Sequence, residues 1–274
     1  MKKFVKTIIA VMAVVVMGVS LTSCRSGQPD QNQVDNVNTQ DDNSQQNDNT
    51  DGKEKIVMAT NAEFPPYEYK ESQTIKGIDV EIAQAIAESM GKELAIEDMA
   101  FDSIIPAIAS GKADMGLAGM TIKEDRLLNA DFSETYCHAS QVIIVRSDET
   151  EITDSTKLAG KTLGVQLGTT GDYYATDDVE NSTVERYAKA VEGVQALISN
   201  KVDAVIIDDE VAKAMAVNNS DIKILDEPCT EEDYAIAVKK GNTELLEQIN
   251  SVLKDLKDSG ELQNIIDKYK NENS

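Results

Sequence analysis

Apolar residues recur along this chain at two spacings, and each change of spacing falls at a polar residue or a glycine. Residues 55–60 form an apolar run of strand length. Over 79–90 the apolar side chains Ile82, Ala83, Ile86, Ala87 and Met90 fall three and four apart, on one face of a helix that Gly91 stops. Asp102 is placed to cap a second helix, with Pro106 early in it and Gly111 at its end, ahead of a strand over 113–118. Further strands are predicted over 162–165 and 204–207, the latter leading through Asp208 into a helix over 210–217. Short strands alternating with amphipathic helices predict an α/β fold.

Two stretches repeat. AIASGKAD (107–114) and ALISNKVD (196–203) each run from a helix end through a turn into an apolar strand, and continuing the register sets Gly119 opposite Asp208 at an offset of 89 residues. Two similar lobes follow if the match is structural. Open parallel sheets bind ligands beyond the carboxyl ends of their strands. Thr60 with Asn61, Gly119 to Thr121, the segment 166–171 and Asp208 are such ends, two from each lobe, which points to a site in the cleft between lobes.

The first 54 residues read differently. Lys2, Lys3 and Lys6 precede a short apolar run over 7–19, a secretion-signal pattern too short for a membrane span. The run ends in Leu21, Thr22, Ser23 and Cys24, which resembles a lipobox and implies cleavage of 1–23 and a diacylglycerol on Cys24. Residues 25–54 are rich in Asp, Asn, Gln, Ser and Thr with no aromatic, a composition that cannot bury a core and reads as a tether from the membrane. The formal charge is −23, and losing three lysines with 1–23 makes it −26, which excludes nucleic acid and anionic surfaces as partners. With Cys24 lipidated, Cys137 and Cys229 remain as an even pair in an oxidising compartment, either bonded or as two separate thiols. His138 is the only histidine, and no metal cluster, cofactor motif or nucleophile paired with a base stands out.

The candidate chemistry centres on Arg126, one of four arginines against 49 acidic residues. A guanidinium fork grips both oxygens of a carboxylate, and a carboxylate such as Asp208 suits an ammonium. Arg126 is alternatively a solvated helix charge among Lys123, Glu124 and Asp125, and Asp208 a helix cap. Gly168, Thr169, Thr170 and Gly171 offer backbone N–H groups and hydroxyls for an anion, and Phe64 lies in a Pro-stiffened aromatic loop.

The stretches ATNAEFPPYEY (59–69), GIDVE (77–81), GMTIKEDR (119–126), DFS (131–133) and GTTG (168–171), with 101–106, resemble in order the extracellular solute-binding proteins, family 3, which serve polar amino-acid ABC transporters. The resemblance spans Lys55 to the C-terminus. It implies a periplasmic binding protein type II fold of two Rossmann-like lobes, 55–137 plus 234–274 and 138–233, joined by crossing strands at 136–140 and 232–236. It further implies that Arg126 and Thr170 hold a ligand carboxylate, and that Asp208, the Gly119 carbonyl and the Thr121 hydroxyl hold an α-ammonium. Asn61, Phe64, Phe101 and Gln166, with Ala118 and Thr169 beside them, fall in the lining set. Because the crossing strands lie side by side in that fold, a Cys137–Cys229 disulfide across the hinge is implied as well.

The expected protein is a monomeric, membrane-anchored, extracytoplasmic receptor that hands a polar or charged amino acid to an ABC permease, without cofactor. Asn61, where some cationic-ligand members carry aspartate, argues against Lys or Arg, although Glu63 restores the charge if it turns inward. The alternatives are a sensing subunit for a signalling partner and a dehydratase-like enzyme.

Overall fold

The computed structural model describes residues 53–217 and 219–273, so the signal segment, Cys24 and nearly all of the tether lie outside the described residues. The chain opens with β1 (Lys55–Thr60), followed by a small antiparallel sheet of β2 (Glu63–Phe64), β3 (Glu68–Glu71) and β4 (Thr74–Lys76). Next come α1 (Ile78–Ser89), β5 (Glu93–Asp98), α2 (Ile104–Ser110), β6 (Met115–Gly116) and α3 (Glu124–Leu127). The long β7 (Ala130–Arg146) leads to β8 (Thr162–Gln166), α4 (Thr170–Tyr173), β9 (Thr183–Tyr187), α5 (Ala190–Ile198), β10 (Ala204–Asp208), α6 (Asp209–Ala216) and β11 (Ile222–Ile224). β12 (Thr230–Lys239), α7 (Thr243–Ser259) and α8 (Glu261–Glu272) complete it.

The main sheet runs β5-β1-β6-β12-β7-β10-β8-β9, with β11 on the flank of β7. In one half β1 is parallel to β5 and β6, and β6 is antiparallel to β12. In the other half β8 is parallel to β9 and β10, and β10 is antiparallel to β7. The halves therefore repeat one arrangement, back to back across the antiparallel β7–β12 pair. The short sequence repeat reflects this: Gly119 follows β6 as Asp208 closes β10.

β10 is buried at every position, as strands covered on both faces must be, and its residues are accordingly apolar up to Asp208. Ile78, Ile82, Ala83, Ile86 and Ala87 of α1 are wholly buried with Ile249 and Leu253 of α7. Each large aliphatic side chain so buried contributes about 1.5–3 kcal/mol. At the start of α1, Gly77 has φ 137°, and a Cβ there would stand 2.1 Å from the Tyr67 carbonyl oxygen. That carbonyl accepts the Asp79 N–H at 2.9 Å, so the close approach ties α1 to the aromatic loop.

Three local expectations change. The predicted strand over 113–118 contracts to β6, because the Asp114 carboxylate takes the Val57 N–H (2.7 Å) and Gly119, at φ 52°, turns the chain out of the ladder. Asp102 does not cap a helix; it sits within a single 3-10 turn, Phe101–Ser103, ahead of α2. The Cys137–Cys229 disulfide is absent, both thiols being free. Cys137 pairs with Tyr234 in the β7–β12 ladder, and the Cys229 N–H bonds the Gln141 carbonyl, four residues further along β7. Four strand positions are about 13 Å, and a disulfide needs Cα atoms within about 7 Å.

Candidate functional site

Between the two halves lies a cavity lined by Asn61, Phe64, Glu68, Phe101, Ala118, Gly119, Arg126, Gln141, Gln166, Thr169, Thr170, Glu232 and Tyr234. Nine of these are expected site residues. The remaining two, Thr121 and Asp208, stand immediately behind the lining, and Asp208 borders an adjoining space that shares Phe64, Gln141, Gln166 and Thr169 with the first.

Arg126 is no solvated helix charge: it is 6% exposed, carried inward by α3. Its Nη1 donates to the Thr121 carbonyl at 2.6 Å and its Nη2 to the Gly168 carbonyl at 2.9 Å, so one fork joins both halves. The Phe101 ring lies 5.2 Å from its Cζ. Burial works against the charged guanidinium and lowers its pKa, opposed by Tyr173, Asp125 and Glu232. No carboxylate makes an ion pair with Arg126 among the described residues.

Thr169 caps α4, accepting the Asp172 N–H, and Asp172 in turn accepts the Gly168 N–H at 3.0 Å. The backbone donors expected to cradle an anion are therefore partly engaged within the turn. The Thr170 hydroxyl remains at the cavity and reaches Thr121 Oγ1 at 3.2 Å. Gly171 lets α4 sit against β10, since a Cβ would meet the Ile206 carbonyl at 2.9 Å and Gln141 Oε1 at 2.8 Å.

Carboxyl groups gather at the floor. Asp208 is both alternatives at once, a cap that receives the Val211 N–H at 2.9 Å and a wholly buried acid beside the cavity. The Tyr234 hydroxyl donates to its Oδ2 at 2.6 Å. Burial pushes its pKa up to about 7, against the hydrogen bonds that favour the charge. Glu232, 6% exposed, receives the Thr121 hydroxyl on Oε2 and Gln141 Nε2 on Oε1 at 2.6 Å, and the Tyr234 hydroxyl stands 3.3 Å from Oε1. No protein N–H or O–H reaches the oxygens of Glu68. Burial, then the charge of Asp79, hold its pKa well above the usual carboxylate range. Asp79 receives the Gly119 N–H at 2.9 Å and the Tyr136 hydroxyl at 2.8 Å, which fixes the turn that carries Gly119.

Away from the floor, Gln166 Nε2 donates to Asn61 Oδ1 at 2.8 Å, and Asn61 Nδ2 to the Met99 carbonyl at 2.9 Å. Glu63 turns outward to pair with Lys189 across the rim. Glu68, Gln141, Glu232 and Tyr234 are the lining residues that sequence reasoning missed. Glu232 stands between two other acids in a strand, and its only signal was membership of the crossing segment 232–236.

This geometry has known counterparts. Residues 56–272 match the bacterial extracellular solute-binding proteins, family 3. The chain belongs to that family. The arginine-binding extracellular protein ArtP of Bacillus subtilis (strain 168) is 37% identical over 224 residues, covering 80% of this chain and 87% of ArtP. The amino acid ABC transporter substrate-binding protein AbpA of Streptococcus pneumoniae, solved bound to L-arginine, superposes with a TM-score of 0.75 at 36% identity, covering 79% of this chain and 94% of AbpA. An ancestral arginine-binding protein bound to glutamine gives 0.74 at 38% identity, covering 78% of this chain and 97% of its own. The fold is that of type II periplasmic amino-acid binding proteins, and this family 3 member binds an amino acid for ABC transport outside the cytoplasm.

Proposed function

We propose that this family 3 protein captures a basic L-amino acid, arginine foremost, and presents it to an ABC permease as a monomer tethered through a lipid on Cys24 after removal of 1–23. One observation carries the reading: a single cavity holds a buried guanidinium with no acidic partner and a buried carboxylate with no basic partner among the described residues. Buried charges require counter-charges, and an amino acid brings both. Arg126 with Thr170 and Thr169 is the pole for the ligand carboxylate. Asp208, the Gly119 carbonyl and the Thr121 hydroxyl form the ammonium pole, and Asn61, Phe64, Phe101, Ala118 and Gln166 bound the side chain. The lobes 55–137 plus 234–274 and 138–233 close over it about the crossing strands.

The ligand class rests on charge and on relatives. Asn61 lacks a charge and Asp208 serves the α-ammonium that every amino acid carries, so the basic class rests on the formal charge of −23, which favours a cation, and on ArtP and AbpA, an arginine-binding and an arginine-bound protein. Calorimetry with arginine, lysine, ornithine, histidine, glutamine and cystine is expected to rank arginine first. Arg126→Ala is expected to weaken that binding by about 2–5 kcal/mol, the cost of removing one partner of a buried charge pair. Binding of none of these amino acids, or unchanged affinity in the variant, overturns the reading.

A further inference from the structure

Glu232 lies on β12, one of the two long central strands, and enters the cavity beside the expected ammonium pole. Its oxygens are 2.6 Å from Gln141 Nε2 and 3.3 Å from the Tyr234 hydroxyl, with the Thr121 hydroxyl donating to the other side. All three neighbours are neutral. Asp208, by contrast, is wholly buried and already receives the Val211 N–H and the Tyr234 hydroxyl. A chain of hydroxyls, Thr170 to Thr121 to Glu232, then connects the carboxylate pole to this acid. Arg126 enters the same relay through the Thr121 carbonyl.

We propose that Glu232 is a second ammonium-binding carboxylate, which takes the ligand's α-ammonium directly while the Tyr234 hydroxyl links it to Asp208. The inference rests on the amino-acid reading above and extends it to a residue outside the resemblance. A zwitterion between Arg126 and Glu232 leaves neither buried charge without a counter-charge. It also gives the Tyr234 hydroxyl a defined task, holding the two carboxyl groups apart as neighbours rather than competitors. A purely structural alternative exists, because the Gln141–Glu232 bond also joins β7 to β12 at the hinge.

The test uses the intact protein with two probes, L-arginine and 5-guanidinopentanoic acid, which is arginine without its α-amino group. Glu232→Gln keeps shape and hydrogen bonding while removing the charge. It is expected to weaken arginine by about 30-fold or more and the deaminated probe by less than about 3-fold. Equal losses for both probes, or no loss for arginine, overturn the proposal in favour of a hinge clasp. Wild-type protein that binds neither arginine nor another amino acid defeats the underlying reading instead, which keeps the two failures distinct. Glu232→Asp, which retains the charge but withdraws it by one methylene, provides the same comparison if the glutamine variant does not fold. The same selective loss of arginine is expected there, and equal losses again overturn the proposal.

Discussion

Arg126 makes its two hydrogen bonds to carbonyls from opposite halves, so its geometry matters as much as its charge. A lysine retains the charge but cannot span both. Arg126→Lys is therefore expected to cost about 1.5–3 kcal/mol in arginine affinity, measured by calorimetry. Asp208 is sensitive to protons. Its carboxyl titrates near 7 in the fold, above the ordinary carboxylate value. Between about pH 4 and 7 the ligand-free native chain thus holds a proton that the unfolded chain releases, and the stability from this group falls as pH rises through that window. Asp208→Asn keeps the Val211 cap acceptor and removes the titration. Its melting temperature relative to wild type is expected to rise steadily from pH 4 to 7, and a flat difference across the window contradicts the assignment. Arg126 was legible in the sequence because a cation closing a Gly-Met-Thr turn is conspicuous in an acidic chain. Glu232 was not, since an acid between Glu231 and Asp233 looks like any solvated strand residue until pairing turns it inward.

At the scale of elements, periodicity gave what depends on local spacing: α1 with Ile82, Ala83, Ile86 and Ala87 on its buried face, Gly91 and Gly111 as helix stops in the left-handed region, and the helix–turn–strand repeat. Features that depend on register across the sheet were hidden. The contraction of β6 needs the Asp114–Val57 contact, and the cysteine separation needs the β7–β12 pairing. Both thiols sit in apolar surroundings, where burial raises Cys137 to about 12 and Cys229 to about 11. Such thiols react slowly. Alkylation of unfolded, non-reduced protein followed by mass mapping is expected to modify both, and a linked peptide pair contradicts the fold. Gly171 tests the seat of α4 on β10. Because an added methyl meets a backbone carbonyl, Gly171→Ala is expected to destabilise by about 1–3 kcal/mol in denaturant titration. It is also expected to weaken ligand binding, since Thr170 shifts with the helix.

Over the whole molecule, the two halves meet in a closed arrangement whose contacts ring the cavity. Arg126 reaches Gly168, Gln166 reaches Asn61, Tyr173 donates to Asp125, and Lys189 pairs with Glu63 at the rim. The rim pair is solvated and contributes little. Closure is therefore governed by the buried groups. What the exterior contributes is field, since 49 acidic residues stand against 26 basic ones. A negative field draws cationic ligands towards the cleft and leaves zwitterions of zero net charge unsteered. The Debye length shrinks from about 30 Å at 0.01 M salt to about 8 Å at 0.15 M, so the effect belongs to low ionic strength. Stopped-flow association of arginine is accordingly expected to slow by about 3-fold or more across that range. Association of glutamine with the same protein is expected to stay within about 1.5-fold, because its net charge is zero. Equal salt dependence for the two ligands assigns the effect to closure instead, since a conformational step slows both alike.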